Sequence, residues 1–295
     1  MNSKNKIKIL IGDLKKSVLL LPALIVLMIF FVTPILLTIY YSFTNLALSG
    51  SGVLNFKFVN FENYIRVFKD PAAIVSINNT IIFLVGCLIG QSVLGFILAY
   101  FMREKAAWFR RIVGTIVLAG WIMPEIVVAM CCSNFFSDGG TLNSILEIFH
   151  IEPIEWLYRF SMLTVILANV WHGTAFSMMN FQSALDSVSG DIEEAARVDG
   201  ANRRQCLFRI IIPCIKDTIA TNTMLNTLST LGLFGLIYAM TGGGPGTSTT
   251  TLPIYMYKQA FNSYQLGYGT AISMIILLVG IVCSIAYTKL LNPKK

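Results

Sequence analysis

Six stretches of the chain are apolar almost without interruption: residues 18–42, 77–101, 112–136, 159–182, 218–240 and 268–291. Each is long enough to cross a hydrocarbon core of about 30 Å as a helix rising 1.5 Å per residue. Lipid offers backbone N–H and C=O groups no water to bond, so these spans must be helical. The pattern predicts an all-α polytopic membrane protein with six transmembrane helices over residues 18–291. A short segment 1–17 precedes them, and a tail 292–295 follows. The fifth stretch is the most interrupted, by Asn222, Asn226, Ser229 and Thr230. The first follows Lys4, Lys6, Lys8, Lys15 and Lys16, as a signal peptide would. Its apolar run, Val18–Tyr41, exceeds the roughly 7–15 residues of a signal h-region, and no small-x-small site follows, so it reads as an uncleaved span.

Composition agrees with this pattern. Of 295 residues, 55% are hydrophobic and 13% charged, against roughly 45–50% and about 25% in soluble domains. That excludes a soluble enzyme, a disordered tail protein and a nucleic-acid binder of ordinary composition. The net charge of +7 is then a topological signal. One side of the six spans would hold the N-terminal lysines, Arg103, Lys105, Arg110, Arg111, Arg197, Arg203, Arg204, Arg209, Lys216, Lys289, Lys294 and Lys295, most of the 22 basic residues. The other side keeps Lys57, Arg66, Lys69, Arg159 and Lys258 among Glu62, Asp70, Asp138, Glu147, Glu152 and Glu155. Basic loops stay cytoplasmic, so both termini are expected in the cytoplasm. Tyr and Trp residues at predicted span ends, such as Tyr40, Tyr100, Trp108, Trp156 and Tyr287, suit the membrane interface. The six cysteines show no CxxC spacing and the two histidines no metal spacing, which speaks against a disulfide framework or a metal site.

The loops carry more specific signals. Phe61, Tyr64, Ile65 and Phe68 recur at helical spacing before Pro71, predicting a short surface helix. TGGGPG (241–246) predicts a rigid turn, since Gly accepts positive φ and Pro stops a helix; it lacks the Lys and spacing of a phosphate loop. The loop 186–217, expected on the cytoplasmic side, reads SALDSVSGDIEEAARVDGANRRQCLFRIIIPCIKD from residue 183 onward. Asp191 could cap a helix with Glu194 completing a capping box. Glu193 and Arg197 are spaced to pair across one turn. Gly200 suits a left-handed helix end, and a second helix would run from about Asn202 until Pro213 breaks it. These features alone fit a solvated connector as well as a docking element.

Their order carries a resemblance. Glu194-Ala195-Ala196, Asp199-Gly200-Ala201 and Ile210-x-x-Pro213 resemble the EAA loop of ABC importer permeases, with Ile212-Pro213 where Leu-Pro is commoner. The segment FVNFENYIRVFKDP (58–71) with Asn79-Thr80 looks like the carbohydrate permeases of the maltose and glycerol-phosphate type. So do Gly140, Leu142 and Asn143, Trp171, and TGGGPGTSTTTL (241–252). Cys131 or Cys132 stands where relatives often carry Trp. The resemblance implies the type I ABC importer permease fold and a subunit with no catalytic residues and no cofactor of its own. Glu194, Ala195, Ala196, Asp199, Gly200, Ala201 and Pro213 would form a coupling helix docking on an ATPase. ATP and Mg would be bound by two partner ATPase subunits. A second homologous permease, an extracellular or periplasmic sugar-binding protein, the lipid bilayer and a carbohydrate complete the implied partners, with no nucleic acid.

A solute path needs polar groups inside the bundle. Glu125 stands roughly 20 Å along the third span, and an acid at depth usually faces a cavity; a neutral or ion-paired acid beside Pro124 is the alternative reading. Asn222 and Asn226, four residues apart on span five, fit interhelical hydrogen bonds or sugar contact. Trp171 and Asn180 in span four are similar: a Trp can stack on a sugar ring or simply pack. Two rival readings follow, an ABC permease for a non-sugar solute and a membrane-embedded enzyme. The latter would need a paired-acid or Ser/Lys set that the loops do not supply. The expectation is one permease subunit of a bacterial carbohydrate importer in the cytoplasmic membrane.

Overall fold

The computed structural model describes residues 20–50, 53 and 55–291. The lysine-bearing segment 1–17 and the tail 292–295 lie outside the described residues. Regular structure among the described residues is helical, apart from one isolated antiparallel bridge between Thr44 and Phe58. The chain forms two compact units, one of residues up to Arg66 with Gln259–Met274, the other of Val67–Lys258 with Ile275 onward.

In the first unit, α1 (Leu20–Ser42) is apolar and exposed along nearly all its length, as suits a helix facing lipid or another subunit. Its turn Met28–Val32 is widened to π geometry just ahead of Pro34. A proline ring crowds the carbonyl one turn back and supplies no N–H. The Thr33 hydroxyl donates to the Met28 carbonyl at 2.9 Å, satisfying a group that the wide turn would strain. After α1 the chain is pinned by Asn63, whose side-chain amide donates to the Ser42 and Thr44 carbonyls at 2.9 and 2.8 Å. Asn63 belongs to α2 (Glu62–Lys69), the short helix predicted from the spacing of Phe61, Tyr64, Ile65 and Phe68. Arg66, on the same helix, lies 3.9 Å over the Tyr268 ring.

The second unit is organised by α3 (Pro71–Arg103) and, later in the chain, the 27-residue helix Ser161–Ser187. At 33 residues α3 starts before the predicted span 77–101; Asp70 caps it by accepting from the Ala72 N–H at 2.9 Å, and Pro71 sits at its first position. The third predicted span is not one helix. It is α4 (Ala107–Ile122) and α5 (Glu125–Phe135), bent by 101°. Pro124 drives Met123 out of the helical region, to ψ 135°. Glu125 therefore opens α5 instead of sitting within a straight span. Next come α6 (Thr141–Ile148) and α7 (Ser161–Ser187). The hairpin elements are α8 (Gly190–Val198) and α9 (Arg203–Cys206). The fifth span is α10 (Lys216–Leu231) and α11 (Gly235–Thr241), bent by 49°. Then follow α12 (Leu252–Tyr257) and α13 (Leu266–Leu291). With each bent pair taken as one span, six spans result.

Helices α3 and α7 touch along a seam of small residues. A methyl group at Gly86 would fall 2.9 Å from Ile166, one at Gly90 2.5 Å from Val170, and one at Gly95 2.5 Å from the Ser177 Cβ. Lipid supplies no hydrophobic force between helices, so close packing and hydrogen bonds must hold them. Around this seam lie two buried clusters. One joins Phe83, Cys87, Val165 and Ala168 to Val128 of α5 and to Leu236 and Ile237 of α11. The other joins Ala99, Met178, Phe181 and Leu185 to Ile211 and Ile215 beside the hairpin.

At Gly95 the nearest obstacles include the Met178 backbone N–H, which cannot swing aside. Gly95→Ala should therefore cost about 1–3 kcal/mol, lowering the melting temperature of the detergent-purified protein by several degrees. Gly114→Ala, where nothing lies within 4 Å, should leave melting unchanged or raise it slightly.

Candidate functional site

The hairpin following α7 is the first candidate. Ser189, not Asp191, caps α8: its hydroxyl accepts from the Asp191 N–H at 3.3 Å. The capping box forms one helix later, where Asn202 accepts from the Gln205 N–H at 2.9 Å and Gln205 accepts from the Asn202 N–H at 2.8 Å. Between the helices, Gly200 takes φ +85°. The Ala201 N–H reaches the Ala196 carbonyl at 2.9 Å and the Gly200 N–H reaches Arg197 at 3.0 Å. That is a Schellman helix end, which favours a residue without Cβ at the left-handed position. Pro213 does not end the second helix. A π turn over Leu207–Ile211 absorbs the proline, and the helix continues through Ile212–Cys214.

Glu193 does not pair with Arg197. It takes Arg103, at the end of α3, whose guanidinium also donates to the Val188 carbonyl at 3.2 Å. Arg110 of α4 pairs with Asp186 at the end of α7. The basic segment Arg103–Arg110 thus meets the 186–217 loop at one end of the bundle, on the side where the Lys/Arg distribution puts both. The hairpin is consequently fastened to the spans, while Val198 is 88% exposed and Ile192 and Phe208 also project. Glu194, Ala195, Asp199 and Gly200 are exposed beside them.

The second candidate is a cavity of about 340 Å³ within the bundle. Glu125 opens onto it from α5, and His172 from α7. Among the described residues these are its ionisable lining groups. The His172 Nε2–H donates to the Trp121 carbonyl at 3.2 Å, meeting a carbonyl freed where α4 breaks. Trp121 and Phe176 stack at 5.7 Å, 26° apart, on one wall. Gln91, 3% exposed, crosses to the α7 backbone, donating to the Asn169 carbonyl at 3.0 Å. It fits because residue 173 is glycine: a Cβ there would lie 2.3 Å from the Gln91 amide nitrogen.

The expected path residues divide. Asn226 lines the cavity, yet its amide donates to the Ser177 hydroxyl at 2.8 Å. Asn222, 1% exposed, donates to the same hydroxyl at 3.2 Å and accepts from Asn180 at 3.1 Å. Asn180, Asn222 and Asn226 therefore bond α7 to α10. Trp171 is 56% exposed and lines other hollows, beside Cys131 and beside Gly120; the tryptophan lining this cavity is Trp121. Gln91, Trp121 and Phe176 were not singled out from the sequence. A Gly two residues after Trp171 and a Trp just before Pro124 were the available signals.

At the other end of α3, the TGGGPG segment is a positive-φ turn, with Gly242, Gly243 and Gly246 at +61°, +91° and +58°. The Asn79 amide donates to the Thr247 and Thr250 carbonyls at 2.7 and 3.1 Å, and the Leu252 N–H to the Thr80 hydroxyl at 2.8 Å. Lys258 lies over this turn, and burial lowers its pKa from the ordinary lysine value. Asn143 performs a similar structural task. Its amide donates to the Asp138 and Ile154 carbonyls at 3.0 Å each, and its oxygen accepts from the Trp156 indole at 3.1 Å.

Residues 91–295 match the family described as "Binding-protein-dependent transport system inner membrane component". The chain belongs to this family, and it is a permease component of the cytoplasmic membrane with no catalytic role of its own. It is 30% identical over 290 residues to the sulfoquinovosyl glycerol transport system permease protein SmoG of Agrobacterium fabrum, covering 96% of this chain and 92% of that one. The trehalose/maltose transport system permease protein MalF of Thermococcus litoralis is 29% identical over 277 residues, covering 92% and 91%. A bacterial alginate ABC transporter, solved with an alginate pentasaccharide-bound periplasmic protein, has the same fold. Its matching chain superposes with a TM-score of 0.80 at 22% identity, covering 95% of this chain and 94% of that one.

The Arg103–Glu193 pair, mostly buried on both sides, should be worth about 1–3 kcal/mol, between exposed and buried pairs. Arg103→Glu or Glu193→Arg alone should speed amide exchange over Gly190–Val198 by on the order of tenfold or more. The double reversal should bring exchange back toward the parent rate.

Proposed function

We propose that the chain is one of two permease subunits of an ATP-driven carbohydrate importer. It forms the sugar path with a homologous permease and receives an external sugar-binding protein. Two ATPase subunits, which bind ATP and Mg, drive it from the cytoplasm. The observation that carries this reading is the hairpin at 186–217: two short helices joined at Gly200, tied to α3 by Arg103 and presenting exposed Ile192, Val198 and Phe208. A docking surface that must transmit motion needs this combination of a rigid attachment and an unpartnered apolar face. Sugar transport names on relatives spanning nearly the whole chain support the cargo class.

In this reading both termini and the hairpin face the cytoplasm. Glu194 and Asp199 meet the ATPase surface, Ala195 and Ala196 allow close approach, Gly200 and Ala201 set the bend, and Pro213 sits in the last turn of the second helix. Closure of the ATPase dimer moves the two hairpins together. Arg103 passes that motion to α3, and through the glycine seam to α7. The bundle then alternates between two openings, biased by ATP as a two-state element must be. Glu125 and Asn226 line the sugar path, whereas Asn222 and Asn180 hold its wall in place. Trp171 stands outside that path.

The test is reconstitution of the complex in vesicles with Gly200→Val, which forces a β-branched residue to φ +85°, at about 1–2 kcal/mol or more. The variant complex should assemble and retain basal ATP hydrolysis, while binding-protein-stimulated sugar uptake falls by at least about tenfold. Uptake at the parent rate would contradict the coupling role of the hairpin.

A further inference from the structure

The cavity beside Glu125 is unevenly equipped with donors and acceptors. Several of its neutral donor groups are already engaged within the protein, while the Asn169 amide nitrogen, buried in the same lining, has no hydrogen-bond partner among the described residues. Gln91 donates to the Asn169 carbonyl, Asn226 to Ser177, Ser229 to the Asn226 carbonyl at 3.1 Å, and His172 to the Trp121 carbonyl. Glu125, by contrast, makes no hydrogen bond or ion pair with any described residue, and no Lys or Arg lines the cavity. Its carboxyl group lies against Gly235, where a Cβ would come within 2.7 Å of Oε2, so α11 holds it in place from behind. Glu125 is exposed in this chain and lines the cavity, so its carboxyl group is open to water or to a ligand. What remains for a ligand includes the Glu125 carboxyl group, the Asn169 amide and the stacked Trp121–Phe176 pair, which can pack on a sugar ring.

We propose that this cavity admits sugar rings without negative charge, neutral or amino-substituted, and that Glu125 is the group that turns acidic sugars away. This rests on the reading that the cavity lies on a sugar path. Hydroxyl groups and an ammonium can donate to the Glu125 carboxylate, and such charge-assisted hydrogen bonds are the stronger kind. A sugar carboxylate meets like charge with no Lys or Arg among the described lining residues to offset it. The external binding protein selects cargo first; Glu125 would be a second filter, acting inside the membrane.

Trp121 supplies the readout. The assembled complex, purified in detergent without its binding protein, is titrated with glucose, glucosamine and glucuronate, which share one ring and differ in charge. Its tryptophan fluorescence is compared with that of the Trp121→Phe complex, in which the cavity signal should vanish. Glucose and glucosamine should perturb the Trp121 signal, and glucuronate should require at least about tenfold higher concentration. Glu125→Gln should bring glucuronate to within about threefold of glucose. Glu125→Asp, which keeps the charge, should keep the exclusion and controls for assembly. Glucuronate acting on the parent complex as readily as glucose overturns the assignment to Glu125 while leaving the sugar path intact. No response to any of the three, in a complex that still hydrolyses ATP, overturns both the assignment and the reading beneath it.

Discussion

The contact between α3 and α7 is the constraint on which the rest of this bundle depends. In water two apolar helices are pressed together by burial; in lipid that force is absent, and association rests on dispersion and hydrogen bonds at short range. Gly86, Gly90 and Gly95 remove the side chains that would hold the backbones apart. The consequences reach both ends of α3. Midway, the close approach lets Gln91 cross to the α7 backbone over Gly173. At one end it brings Arg103 to Glu193 and the Val188 carbonyl. At the other it sets Asn79 and Thr80 against the glycine-rich turn. One seam therefore locates a cavity wall, a hairpin anchor and a loop anchor together.

Polar groups inside the bundle fall into two kinds. Ser177, Asn180, Asn222 and Asn226 satisfy one another and bond α7 to α10, the structural use of amides in a membrane. Glu125 lines a cavity and has no hydrogen-bond or ion-pair partner among the described residues. Groups of the first kind hold a wall, and Glu125 is, in the proposed reading, the one that acts on what passes it. The break at Pro124 makes the difference: it frees the Trp121 carbonyl for His172 and turns Glu125 toward the cavity at the start of α5. A straight helix would have put the same residues on a face set by the helical period alone.

How much of this was legible from residues alone follows from the range of each interaction. The surface helix before Pro71 and the glycine bend at Gly200 depend on local pattern and stand where pattern puts them; the apolar stretches are helical, but the third and fifth are each broken in two. Local capping was less readable, because Ser189, Asp191 and Asn202 are all competent caps and only the entry angle of the chain chooses among them. Pairings were least readable. Glu193 has Arg197 one turn away, but it takes Arg103, ninety residues earlier in the chain. Which tryptophan lines which hollow is equally unreadable: Trp121 lines the cavity beside Glu125, and Trp171 lines two others. Pro124 and Pro213 show the same limit from another side: a proline announces a disturbance without saying whether the helix will break by 101° or absorb it in a π turn.

The central claim is that the hairpin around Gly200 is where ATP-driven motion enters the bundle. A photo-crosslinking amino acid at position 198, whose valine is 88% exposed, tests it directly in the complex purified from membranes. The account predicts a covalent adduct with the ATPase subunit, formed in good yield and changing between nucleotide-free and ATP-bound states. An adduct with the external binding protein instead, or none with the ATPase in either state, would contradict it.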